Sequence, residues 1–164
     1  MQQRLQWRTA AVCTMLLTFA VTAAAGLPRG MVLAFEYGNT GRILAWYPVA
    51  DQAAFAIVYT HSIHLTPVEE AYAIRGGFIV QDSIAYESYG IGMPANAVGG
   101  EQFRVEDGRY VVSGMNRAFR QVDMRVARVT ASQELAIDGE RIAFASFARP
   151  GAWIRMRVRT IGPG

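Results

Sequence analysis

The chain has 164 residues, 52% of them hydrophobic and 18% charged, a balance that suits one globular domain with a buried core and excludes a disordered polymer. A formal net charge of +3 is too small for the global basic field on which nucleic-acid binding depends, so nucleic acid is not an expected partner. All sixteen basic residues are arginines, three against seven acids over residues 26–103 and eleven against six over residues 104–164.

The first residues read as an export signal, because Arg4 and Arg8 form a basic start and Thr9 to Leu27 then carries no charge. Ala23-Ala24-Ala25 offers a small-residue cleavage site, which divides the chain into a signal of residues 1–25 and a single β domain of residues 26–164. The uncharged stretch is close to the roughly 20 residues that span a bilayer, so an uncleaved membrane anchor over residues 9–27 is the competing reading. Either way the arginines stay in the cytoplasm and the domain is exported, to the periplasm or to the extracytoplasmic face of the inner membrane. Cys13 sits near the start of the apolar stretch, badly placed for a lipid-modified N-terminus. The exported domain has no cysteine, which excludes disulfides, thiolate metal sites and a thiol nucleophile.

Beyond the signal, period-two alternation predicts strands and no long helix. The expected strands are Met31 to Tyr37, Arg42 to Tyr47, Phe55 to Thr60, Glu69 to Arg75, Phe78 to Gln81 and Ile84 to Tyr89. Phe103 to Val105, Arg109 to Ser113, Arg120 to Val129, Gln133 to Ile137, Arg141 to Phe147 and Trp153 to Thr160 complete the set. Gly38-Asn39-Thr40-Gly41, Gly76-Gly77, Asp107-Gly108 and Asp138-Gly139 supply turn chemistry between them. The clearest hairpin runs from Leu135 to Ile142 through Asp138-Gly139, a two-residue link that suits a type I′ turn. In the last strand Ile154, Met156 and Val158 lie on one face and Arg155, Arg157 and Arg159 on the other. That second face reads as a solvated exterior or as an anion-binding stripe. The fold class expected is all-β, an antiparallel sandwich or partly closed barrel preceded by an N-terminal signal or anchor helix.

Both histidines fall in one polar stretch, His61-Ser62-Ile63-His64-Leu65-Thr66-Pro67-Val68-Glu69-Glu70, and a second follows at Tyr86-Glu87-Ser88-Tyr89-Gly90-Ile91-Gly92-Met93-Pro94. Core packing alone does not select so many imidazole, hydroxyl and carboxylate groups. His61, His64, Glu69 and Glu70 are donor types for zinc-like ions. His61 and His64, however, point to opposite faces of an extended strand and converge only if the chain turns at Ser62 or Ile63, near the bend that Pro67 favours. Without a metal, His61 caps the end of its strand, Ser62 bonds to local backbone and Glu70 pairs with an arginine. Ser62 lacks both glycines of a G-x-S-x-G nucleophile elbow. Tyr86 and Ser88 share a strand face, and the glycines after them mark a bend where backbone passes close to a neighbour. The candidate ligand-binding residues are therefore His61, Ser62, Glu70, Tyr86 and Ser88, lining one polar pocket; none is assigned a catalytic role.

The order His61-Ser62, Thr66-Pro67-Val68 with Glu70 and Tyr72, then Tyr86, Ser88, Gly90, Gly92 and Pro94 resembles a family of small exported proteins of unknown function. In that family a His-Ser, a Thr-Pro-Val-x-Glu and a Tyr-x-Ser-x-Gly-x-Gly-x-Pro pattern follow one another; His64 is outside the pattern. Its members are commonly encoded beside TAXI-type TRAP transporters, which use an extracytoplasmic solute-binding protein and a membrane permease. The resemblance implies a non-enzymatic accessory of such an uptake system for organic acids or amino acids, with the TRAP permease or the TAXI solute-binding protein as partner and no cofactor. Two other functions fit the residues: a metal-dependent hydrolase with His61, Glu70 and His64 as ligands, and a periplasmic small-ligand-binding module built on His61, Tyr86, Ser88 and Glu70.

Overall fold

A computed structural model describes residues 30–90, 92–128 and 133–162. The signal or anchor expected over residues 1–25 and 9–27 lies outside the described residues. Eleven strands follow in chain order: β1 (Gly30–Tyr37), β2 (Ile43–Val49), β3 (Ala54–Thr60), β4 (Pro67–Arg75), β5 (Phe78–Tyr86), β6 (Gln102–Glu106), β7 (Arg109–Phe119), β8 (Val122–Arg125), β9 (Glu134–Ile137), β10 (Glu140–Ala143) and β11 (Trp153–Ile161). They form two antiparallel sheets, four-stranded in the order β2-β1-β11-β8 and seven-stranded in the order β10-β9-β3-β4-β5-β7-β6. The fold is thus an open two-sheet sandwich and not a closed barrel, which decides between the two architectures the alternation allows.

Alternation assigns each strand's faces. On β1, Leu33 and Phe35 enter the core while Val32, Ala34 and Glu36 point to the far side of the four-stranded sheet. A main cluster between the sheets joins Leu33, Phe35, Ile154 and Met156 to Phe55, Ile57, Tyr72, Ile74, Ile79, Leu135 and Phe144. Phe35 is fully buried and packs against Tyr47, Phe144 and Phe147 with ring centroids 5.2–6.1 Å apart. A second cluster of Val68, Ile84, Tyr86, Val112 and Met115 lies further along the inner face of the seven-stranded sheet and contains no residue of the four-stranded one.

The Asp138-Gly139 hairpin forms as expected: both residues have positive φ, 51° and 81°, and Glu140 pairs with Ile137 across the turn. Four expectations change. The stretches Phe78 to Gln81 and Ile84 to Tyr89 are one strand, β5, whose pairing register slips at Asp82 while the Asp82 carboxylate binds Arg75 through two bonds of 2.7 and 2.8 Å. Opposite that slip, β7 runs on past Ser113 to Phe119, because Gly114 and Asn116 at positive φ let the strand bulge and resume. That bulge delivers Met115 to the second cluster. The strand expected over Arg120 to Val129 shortens to Val122–Arg125, and the one expected from Arg141 ends at Ala143, where a 3-10 turn (Phe144–Ser146) begins.

Truncating Phe35 removes the ring on which three other aromatics pack. Phe35→Ala is expected to cost about 3–5 kcal/mol, read as a lowered urea midpoint with unchanged slope.

Candidate functional site

Between β3 and β4 the chain closes a tight loop. The His61 amide donates to the Thr66 carbonyl and the Leu65 amide to the His61 carbonyl, both at 2.9 Å. His61 is buried, and its Nδ1 accepts from the amides of Ile63 (3.3 Å) and His64 (3.4 Å), which leaves the ring proton on Nε2. The imidazole therefore caps the turn at the end of its strand. That turn also brings the two histidines together, their rings stacked 5.2 Å apart at 24°. His64 is thus structurally part of the same unit as His61.

The second stretch packs on the first. A Cβ added to Gly90 would lie 2.8 Å from His64 Nε2, 2.9 Å from His64 Cδ2 and 3.1 Å from His61 Cε1, so the backbone at Gly90 occupies the space beside both rings. This close approach is what the glycine there provides. The segment then turns, with the Met93 amide donating to the Gly90 carbonyl at 3.0 Å. Tyr86 is fully buried and its hydroxyl donates to the Pro94 carbonyl, so the turn is pinned down onto the second cluster, where Met93 packs. Burial, with Tyr89 and Tyr110 nearby, pushes the Tyr86 phenol above its usual range. Tyr89 covers Tyr110 with ring centroids 4.2 Å apart and remains 45% exposed.

Glu70 has a different role from the arginine partner expected. In the register Ile57↔Glu70↔Ile84 it lies on the inner face of the sheet, and its carboxylate accepts from the hydroxyls of Tyr59 (3.0 Å) and Tyr72 (2.5 Å). Tyr72 belongs to the main cluster and Tyr59 touches both clusters, so this carboxylate sits at the seam between them. Burial first, and then the Glu70 charge, push both phenols well above the usual tyrosine range. Glu69, on the opposite face, is the member of the pair that faces an arginine, Arg109 at 3.8 Å.

The five candidates thus divide. His61 and the Tyr86-to-Gly90 stretch meet through Gly90; Glu70 is engaged with Tyr59 and Tyr72, and Tyr86 with Pro94; Ser62 is exposed and Ser88 half-buried. Two surface concavities lie away from the candidate residues, one over Phe55, Tyr72 and the Asp138-Gly139 hairpin, another between Tyr37, Arg42, Phe147 and Arg149. Among the described residues no group of three or more His, Cys, Asp or Glu is placed to hold a metal ion. Tyr59, Tyr72 and Gly90 were not singled out from the sequence as site residues. For the tyrosines a signal existed: Val68-x-Glu70-x-Tyr72 puts a carboxylate on a buried face, where it needs donors.

Residues 55–144 match the family described as Domain of unknown function (DUF1850), a span that includes every candidate residue. No curated protein and no solved structure matches the chain.

Gly90→Ala is expected to destabilise the fold by about 1–3 kcal/mol, since the added carbon meets two rings. His64→Ala in the same chain should recover part of that loss, as the exposed ring leaves while the buried His61 stays; a double-mutant cycle by urea unfolding reads the coupling. Folding favours the neutral phenols of Tyr59 and Tyr72, so their folded pKa values lie above the unfolded 10.0. The stability they carry is intact below pH 10 and declines as the pH rises beyond it. Tyr59→Phe with Tyr72→Phe should reduce the slope of unfolding free energy against alkaline pH.

Proposed function

Because the chain belongs to the DUF1850 family, whose function is unknown, we propose from its own geometry that it is an exported, non-enzymatic accessory protein that docks a partner through the β3–β4 loop end of its larger sheet. The observation that carries this reading is Leu65. It is 67% exposed and holds a left-handed backbone conformation, φ 54°, that costs a bulky L-residue about 1–2 kcal/mol. Neither burial nor a turn requirement compensates that cost in the chain by itself, since glycine or asparagine would serve the turn better. An exposed, strained leucine is what a partner's apolar surface would use.

Its surroundings agree. Ile63 in the same loop is 62% exposed, and Tyr89 and Val105, at 45% and 61%, stand at the same end of the sheet. Beneath them, the polar groups that suggest chemistry are engaged in holding the loops: His61 by backbone amides, Tyr86 by the Pro94 carbonyl, Glu70 by two phenols. They support a presenting scaffold more readily than a pocket.

The partner follows from the resemblance of the His61-to-Pro94 pattern to small exported proteins encoded beside TAXI-type TRAP transporters. It is the TRAP permease or the TAXI solute-binding protein, met at the extracytoplasmic face of the inner membrane or in the periplasm. The basic start and apolar stretch of residues 9–27 deliver the domain there.

Leu65→Asn separates the two roles of the residue. It should raise the stability of the isolated protein by about 1 kcal/mol, since asparagine tolerates positive φ. It should also sharply weaken co-purification with the transporter subunits from membranes, as should Ile63→Asp. Full co-purification with both substitutions present, or no association of the unaltered chain with either subunit and unchanged uptake in a deletion strain, refutes the proposal.

A further inference from the structure

A second surface lies on the other sheet. We propose that the outer face of the four-stranded sheet docks onto an anionic phospholipid bilayer. The register places its side chains: Val32 pairs with Pro48 and Arg159, Ala34 with Trp46 and Arg157, and Glu36 with Arg155; Asp123 also pairs with Arg155, and Trp153 with Arg125. Since paired residues share a face, one side of the sheet carries Arg125, Arg155, Arg157 and Arg159 against the carboxylates of Glu36 and Asp123 alone, among the described residues. Both tryptophans of the described chain, Trp46 and Trp153, stand on it too.

The two carboxylates are committed within the face. Asp123 accepts two bonds from Arg155, at 2.7 and 3.1 Å, and those bonds hold its carboxyl below the usual range. The Glu36 side chain is only 2% exposed; Arg159 donates to it, and Arg157 approaches it at 3.9 Å. One buried carboxylate shared by two guanidinium groups leaves positive charge directed outward, on side chains that are 34% and 37% exposed. Each guanidinium has five N–H donors, more than a single shared carboxylate can use, and phosphate esters suit that fork.

A bilayer fits this surface for three reasons. The face is broad and sheet-like, where a single bound anion would need a closed pocket. Tryptophan settles at the interface of a membrane, with its ring among acyl chains and its N–H toward the headgroups, and arginine stems reach out to phosphate while lying on apolar surface. The Arg155 guanidinium, 5.7 Å from the Trp153 ring centre, already joins the two chemistries. Finally, the chain arrives from the apolar stretch of residues 9–27 and enters β1 at Gly30, whose register partner is Ile161. Three residues span at most about 10 Å, so insertion of that stretch into a membrane would hold the Arg159 end of this face near the headgroups. The proposal rests on that apolar stretch and on the arginine face, and is independent of docking to a transporter.

The test uses the full chain carrying Trp7→Phe, reconstituted in vesicles of phosphatidylcholine alone or mixed equally with phosphatidylglycerol, each with a brominated phospholipid as quencher. Quenching of Trp46 and Trp153 should be several-fold stronger with phosphatidylglycerol and should fall back at high salt, where charges on an exposed surface are screened. Arg125→Glu, which leaves the Glu36 pairing untouched, should weaken the lipid dependence. Arg157→Gln with Arg159→Gln should abolish it, with thermal unfolding as the check that the sheet persists. Ile63→Asp at the loop end should leave it unchanged. Equal quenching in the two vesicle types, or insensitivity to salt, overturns the proposal on the unsubstituted face. If the double arginine variant then also loses transporter subunits on purification, the face belongs to a protein partner.

Discussion

Seven strands present more inner face than four strands can cover, and that mismatch organises the molecule. Over Phe55, Ile57 and Tyr72 the four-stranded sheet supplies the opposing layer through Leu33, Phe35, Ile154 and Met156. Over Val68, Ile84, Tyr86 and Val112 it supplies none of the packing residues. An apolar sheet face left in water would forfeit about 25 cal/mol for each Å² of burial lost. The chain after β5 folds back as the missing cover, and the Tyr86-to-Pro94 stretch is the device that holds it: a phenol pinned to the Pro94 carbonyl, Met93 in the cluster, and Gly90 lodged beside two imidazoles.

Glu70 follows from the same mismatch. At the seam where one cover ends and the other begins, a carboxylate takes both neighbouring phenols and ties the clusters into one layer. A charge this close to the core is tolerated when its oxygens find donors, and here each oxygen has one. The His61-to-Pro94 stretch thus closes this end of the sandwich. The residues left over, Leu65, Ile63, Tyr89 and Val105, face outward from it. The opposite sheet presents charge instead, with Glu36 buried beneath its arginines. The two surfaces differ in chemistry, one carrying exposed apolar side chains and the other arginines beside the point where the chain enters β1.

Much of the strand set was legible because alternation and turn residues are local. The Asp138-Gly139 hairpin needs only two residues that accept positive φ between two short alternating runs. The readings that changed did so where a residue type has two meanings. Gly114 follows the expected end of a strand at Ser113 and, with Asn116, serves as a bulge within one; Asp82-Ser83, the gap between two expected strands, is a slip in register opposite that bulge. Without a metal, Glu70 reads as a partner for arginine. Strand parity places it inside, where the donors at hand are phenols.

The sequence by itself determined the all-β antiparallel class, the main turns and which residues alternate, since each depends on a few neighbouring backbone conformations. Over residues 55–144 it also matches the DUF1850 family. Only the tertiary structure decided that the sandwich stays open, that Gly90 packs on His61 and His64, and that Arg159 reaches a buried Glu36 123 positions away. Those contacts join residues whose proximity is set by sheet order and packing, and no local periodicity encodes which face will lack a cover.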